Sequence, residues 1–176
     1  MVKHTSLGLF GFAWGLLGMC LLLLTAIVRL GAIALTLLDQ QLEMQHWLAL
    51  ILFVGFMAYS EGYKGFQASF SPRFAARLRH LLTSDSALHI LTAPLFCMGF
   101  YHTTRRRLIS AYALTTMIIG FVIIAQSIPQ PWRGILDAGV VIGLLWGLLS
   151  LVYFAALALH QATFTYSAEL PAQTSR

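Results

Sequence analysis

Four long apolar runs, at residues 7–28, 47–63, 108–128 and 138–160, dictate the solvent in which this chain can fold. A bilayer core of about 30 Å needs about 20 helical residues to cross, and helix satisfies every backbone N–H and C=O internally where no water can. Charged residues make up only 10% of the chain and hydrophobic ones 59%, whereas a soluble domain carries about 25% charged residues. The expected fold class is an all-α polytopic membrane protein. Its single helical domain covers residues 1–160, and a polar, mobile tail covers 161–176.

A fifth apolar stretch, 87–104, contains His89, Pro94 and His102 and is closed by Arg105, Arg106 and Arg107. Its path decides the topology, because Lys and Arg near span ends are retained on the cytoplasmic side. If it dips in and returns, or lies along the surface, Lys3, Lys64, Arg73, Arg77, Arg79, the arginine triplet and Arg176 share the inner face, nine in all, and only Arg29 and Arg133 lie outside. If it crosses, the split becomes six against five and no orientation is preferred. The sequence therefore favours four spans with both termini cytoplasmic, in a bacterial inner membrane, with five spans as the alternative. The first run is too long for a signal-peptide core, and Met19 occupies the place where processing before Cys20 needs a small residue. Cys20 and Cys97 sit in apolar surroundings and imply no disulfide framework.

The stretch 71–82 reads as an amphipathic helix in the headgroup layer. Ser71 suits an N-cap and Pro72 a first helical position. Phe70, Phe74, Leu78, Leu81 and Leu82 share one side, Arg73, Arg79 and His80 take the rest, and Arg77 sits at the boundary. Asp85, with Thr83 and Ser84, offers a cap for the next helix. The net charge of +5 then belongs to the cytoplasmic rim, where Arg73, Arg77, Arg79, Arg105, Arg106 and Arg107 would meet anionic headgroups in preference to nucleic acid.

Two glycine stripes stand out: Gly8, Gly11, Gly15 and Gly18 in the first span, and Gly139, Gly143 and Gly147 in the last. Strips without side chains let helix backbones approach, so these helices are expected to pack tightly, against each other or across a homodimer.

Ionisable groups in a span are costly and are candidates for function. Glu61 and Lys64, three apart at the inner end of the second span, read as a local ion pair, with a proton or cation site as the alternative. Arg29 closes the first span, within reach of Asp39 or Glu43. Arg133 and Asp137, four apart beside Pro129, Pro131 and Trp132, read as a rigid outer turn. Among the histidines only His46 faces out, and His4, His80, His89, His102 and His160 fall inward. No spacing puts two histidines on one helix face, so a haem b or quinone site would need His89 with His102 or His160. No cofactor and no metal site is predicted beyond that alternative.

The chain lacks GxSxG, HExxH, Walker and GxGxxG motifs. The expected function is a non-catalytic scaffold, accessory subunit or minimal transport component. The alternatives are a redox protein built on those histidines and an enzyme acting on lipid headgroups with Glu61, His89 and the arginine triplet.

Overall fold

The computed structural model describes residues 5–84, 86–161 and 163–170, so the expectations for Lys3, His4, Asp85 and Arg176 fall outside the described residues. Every regular element among them is helical: α1 (Ser6–Leu35), a 3₁₀ turn (Thr36–Asp39), α2 (Met44–Met57), a wide π-helical segment (Ala58–Phe70), α3 (Ser71–Leu81), α4 (Ala87–Leu91), α5 (Ala93–Met98), α6 (Arg105–Gln126) and α7 (Trp132–His160). Three helical stretches, Ser6–Asp39, Arg105–Gln126 and Trp132–His160, are long and apolar enough to cross a membrane. The protein is therefore a helical one compatible with integral membrane residence.

Local chemistry explains several boundaries. Thr5 Oγ1 accepts the Gly8 N–H at 3.0 Å and so caps the start of α1. The helix continues past Arg29 to Leu35, carried by Leu30, Ala32, Ala34 and Leu35 across Gly31. Glu43 and His46 cap α2 reciprocally, and Arg29 makes no ion pair with Asp39 or Glu43 among the described residues. The α2 helix runs without a loop through the π segment into α3. Ser71 is thus not a cap; it is fully buried, and its hydroxyl has no partner among the described residues. Pro94 cannot donate a backbone hydrogen bond, and the chain turns at Thr92 just before it. Together α4 and α5 reach about 18 Å, short of a bilayer core of about 30 Å.

The chain packs as two compact units. One holds the opening turns of α1, then α3, α4, α5, the first part of α6, the end of α7 and the C-terminal segment. Here the first glycine stripe receives α3 to α5. Gly8 faces the carbonyls of Leu81 and Leu82, Gly11 faces Ile90, Gly15 faces Leu78, Ala93 and Cys97, and Gly18 faces the Pro94 ring. Phe74, Ala75, Leu78, Leu81, Leu82, Ala93 and Phe96 are at most 1% exposed. The expectation of a surface helix over 71–82 is therefore corrected. Both the apolar side of α3 and Arg77 are enclosed by protein, because three elements and the C-terminal segment close around it. The tail expectation changes too. Phe164 packs on the cluster of Ala75, Phe154 and Ala158, and Tyr166 meets Phe154 edge-on at 5.6 Å, since these rings have apolar area to bury.

The other unit holds the rest of α1, the 3₁₀ turn, α2, the π segment, the remainder of α6 and the first part of α7. Its second glycine stripe receives one strip of side chains. Gly139 lies against Phe53 and Met57, Gly143 against Glu61, and Gly147 against Phe66. Both numberings rise together, so α7 runs parallel to the helix it contacts. Of the two expected arrangements, against each other or across a homodimer, the first is not what the stripes do within the chain: each has its own partner within its own unit. In return, Trp146 covers Gly62 and donates its indole N–H to Gln67 Oε1 at 2.7 Å.

These contacts separate two otherwise equal substitutions. Alanine favours helix over glycine by about 1 kcal/mol. At Gly120 the added methyl meets nothing within 4 Å, whereas at Gly8 it falls 2.6 Å from a backbone carbonyl oxygen that has no rotamer to change. Gly8→Ala is expected to destabilise by about 1–3 kcal/mol and Gly120→Ala to leave stability unchanged or higher. Thermal melts in detergent, followed by tryptophan fluorescence, compare the two directly.

Candidate functional site

The α3 helix brings Arg73, Arg77 and His80 onto one face at steps of four and three. Arg77 is 3% exposed, so its five N–H groups must find acceptors within the protein. Its Nε donates to the Ala168 carbonyl at 2.9 Å, one terminal nitrogen to the Phe96 carbonyl at 2.6 Å, and the other to the His102 carbonyl at 3.0 Å. A longer contact of 3.5 Å reaches the Tyr101 carbonyl. The guanidinium also lies 4.9 Å from the centre of the Phe96 ring, a cation–π position.

The acceptors come from irregular backbone and a helix end. Phe96 lies in the last turn of α5, where its carbonyl also accepts the Gly99 N–H at 3.1 Å and gives its second lone pair to Arg77. The loop beyond it turns through left-handed residues, Gly99 at φ 85° and His102 at φ 50°. Glycine adopts such a turn freely and histidine only at some cost, which the carbonyl bond to Arg77 offsets. The C-terminal segment supplies Ala168 and, through Glu169, an ion pair of 3.4 Å to Arg107. Thr103 Oγ1 donates to the Glu169 carbonyl at 3.2 Å, fastening the same segment a second time.

Around this clamp stand three imidazoles and two aromatic rings. His89 stacks on Phe96 at 4.8 Å and lies 4.9 Å from His102, while His80 stacks on the far reach of Phe96 at 6.1 Å. Tyr101 lies 6.0 Å from His89 and shares a short hydrogen bond with Thr92. His89 Nδ1 is sealed from solvent and lacks a partner among the described residues.

Burial, then the nearby His102 and His80, then Arg77, hold the His89 imidazole below its ordinary range. His80 is lowered by burial first, then by His102 and Arg77. Burial pushes the Cys97 thiol up, so it is an inert neighbour. Desolvation lowers the Arg77 guanidinium as well, but arginine keeps its charge in proteins. The cluster thus sets a fixed cation beside two imidazoles, His80 and His89, that resist protonation.

His89 and His102, which the sequence pairs as possible ligands, do come together, and His80 joins them. Its place on α3, seven residues after Arg73 and three after Arg77, is the signal the sequence holds for it. His160 is exposed at the end of α7. Two axial imidazoles must lie on opposite faces of a haem. Rings tilted at 45° with centres 4.9 Å apart touch one another and leave no slot for the macrocycle. Among the described residues no group of three or more His, Cys, Asp or Glu is disposed to hold a metal ion.

The arginines expected at lipid headgroups divide. Arg105 and Arg106 are exposed. Arg77 is enclosed, which corrects its expected lipid contact, and Arg79 donates to the Gln161 carbonyl at 2.7 Å. Arg107 holds Glu169, and Arg73 is half-buried on the Arg77 face of α3.

In the second unit Arg133 Nε meets Asp137 Oδ2 at 2.6 Å, as the spacing of four predicts. The pair is enclosed, with side chains 13% and 4% exposed. Glu61 and Lys64 form no ion pair among the described residues. The π winding is the reason: it places residue i+5 over residue i, so Lys64 rides 4.9 Å from the Tyr59 ring centre.

Comparison with protein-family models, with curated proteins and with solved structures finds no match for this chain.

The cluster generates two expected outcomes. Arg77→Lys should fail to restore what Arg77→Met loses, because one ammonium cannot serve three separated carbonyls, and each stranded acceptor costs about 1–3 kcal/mol. Limited proteolysis reads this as early cleavage at 163–170 in both variants, with Arg105→Gln cut at the wild-type rate. Lowered imidazole values mean that the unfolded chain binds more protons than the folded one just below pH 6.5, the unshifted histidine value. Stability is therefore expected to fall as pH drops through 6.5 and to level off below the folded values. Melts from pH 8 to pH 5 should show that slope, flattened in the His80→Gln/His89→Gln variant.

Proposed function

We propose that this chain is a four-span membrane helical bundle with both termini cytoplasmic, working as a non-catalytic scaffold, accessory subunit or minimal transport component in a bacterial inner membrane. In this reading the fourth span is the uninterrupted helix from Met44 to Phe70. It counts as one crossing although its winding changes from α to π at Ala58. The shortness of α4 and α5 supports a segment that returns to the side it left. The exposed Arg105 and Arg106 then lie on the basic, cytoplasmic rim beside anionic lipid.

The observation that carries the non-catalytic reading is where the polar side chains point. Arg77 is occupied by backbone carbonyls, Arg133 by Asp137, and Arg107 by Glu169. The rings of His89 and His102 are in mutual contact. A substrate would find these groups already engaged in holding the chain together.

Cysteine accessibility in intact cells tests the arrangement. With Cys20 and Cys97 replaced by serine, a cysteine at the exposed Gln40 should react with a membrane-impermeant maleimide from outside. One at the exposed Thr104 should react only after the cells are opened. Labelling of Thr104→Cys in intact cells would sink the four-span topology.

A further inference from the structure

Three side-chain sites of one helix are seated on the glycine stripe of α7, and the middle one is acidic. Phe53 and Met57 lie on Gly139, Phe66 lies on Gly147, and between them Glu61 lies on Gly143. A Cβ added at Gly143 would sit 2.8 Å from Glu61 Oε2 and 3.1 Å from its Cβ, so the carboxyl rests directly on α7 backbone. Packing alone calls for another apolar side chain there.

Depth makes the acidic residue informative. Gly143 is eleven residues on from Trp132, about 16 Å along an α-helix. With Trp132 as the interfacial anchor, that depth is about the middle of a core of about 30 Å. The sequence places Glu61 at the inner end of its span; contact with Gly143 moves it to the interior, because the helix continues to Phe70.

Among the described residues no cation pairs with the carboxyl. Glu61 has neither a hydrogen bond nor an ion pair among the described residues. On its own segment the nearest ionisable groups are Tyr59, Tyr63 and Lys64, the last held over the Tyr59 ring. On α7 the charged residues are Arg133 and Asp137, which neutralise each other near the start of the helix. An unpaired carboxylate at mid-membrane depth costs several kcal/mol, whereas a neutral carboxyl does not. The residue also lies in a π segment, a winding that recurs at functional sites.

We propose that Glu61 is a proton-binding site in the bilayer interior. One proton from water is taken up by the carboxylate to give the neutral acid resting on Gly143, and the reverse step returns it; no other group is transferred. This inference rests on the four-span reading, since it needs the helix through Glu61 to lie within the membrane. It gives the transport-component branch of that reading a chemical class of cargo or coupling ion, the proton.

Carbodiimides test it, because they form a stable adduct with protonated carboxyls. The full chain in lipid vesicles is treated with lipophilic dicyclohexylcarbodiimide or with a water-soluble carbodiimide, and adducts are located by peptide mass spectrometry. The expected result is a lipophilic adduct at Glu61 that declines as bulk pH is raised and that Asp39, Glu43 and Glu169 lack. It is abolished in Glu61→Gln and retained in Glu61→Asp. A circular-dichroism spectrum like that of the wild type keeps the Gln variant interpretable. Labelling of Glu61 by the water-soluble reagent alone would overturn the membrane placement and the four-span reading with it. Labelling by neither reagent would leave that topology standing and overturn the proton site.

Discussion

A buried guanidinium sets the terms for half of this molecule. Taking Arg77 out of water is tolerable only if its donors are met, and among the described residues no carboxylate pairs with it. Backbone carbonyls do the work, drawn from the end of α5, from the loop after it and from the C-terminal segment. The Phe96 carbonyl also holds the Gly99 N–H that closes α5, while the His102 and Ala168 carbonyls lie outside regular helix. One charge thus gathers acceptors from a helix end, a loop and the C-terminal segment, and the irregular parts of the chain acquire fixed positions. The imidazoles of His80, His89 and His102 collect around the same point because their backbone is held there.

The other unit relies on the absence of side chains. Glycines on α7 admit Phe53, Met57, Glu61 and Phe66 close to its backbone. The dispersion attraction of that close approach takes the place of the hydrophobic drive that lipid does not provide between helices. The π winding fits the same seam, since the spacing from Glu61 to Phe66 is five residues while the glycines they meet are four apart. A regular α-helix over 58–70 would carry Phe66 off the stripe.

Much of the fold is legible in the sequence because membrane helices announce themselves by length and apolarity. The runs at 7–28, 108–128 and 138–160 lie within α1, α6 and α7 apart from Ser127 and Ile128, which come after the end of α6. The i,i+4 geometry of Arg133 and Asp137 is equally readable, since both lie on ordinary α-helix. Arg77 is not. A helical wheel places it at a boundary between faces, and nothing local reveals that Ala168, 91 residues later, closes over it. Glu61 and Lys64 escape for a different reason. The rule that pairs residues three apart assumes α winding, and no composition signal distinguishes a π turn from an α turn. The histidine cluster is half visible: His89 and His102 flank one short segment, but His80 reaches them only through the packing of α3 on α5.

The clamp on Arg77 has a consequence for the order of events during synthesis. Its Phe96 and His102 acceptors emerge from the ribosome within a few dozen residues of it, but the Ala168 carbonyl follows only 91 residues later. Until then the guanidinium needs water or lipid phosphate as a temporary companion. The segment around Ala168 thus displaces that companion and serves as the latch on a guanidinium made 91 residues earlier.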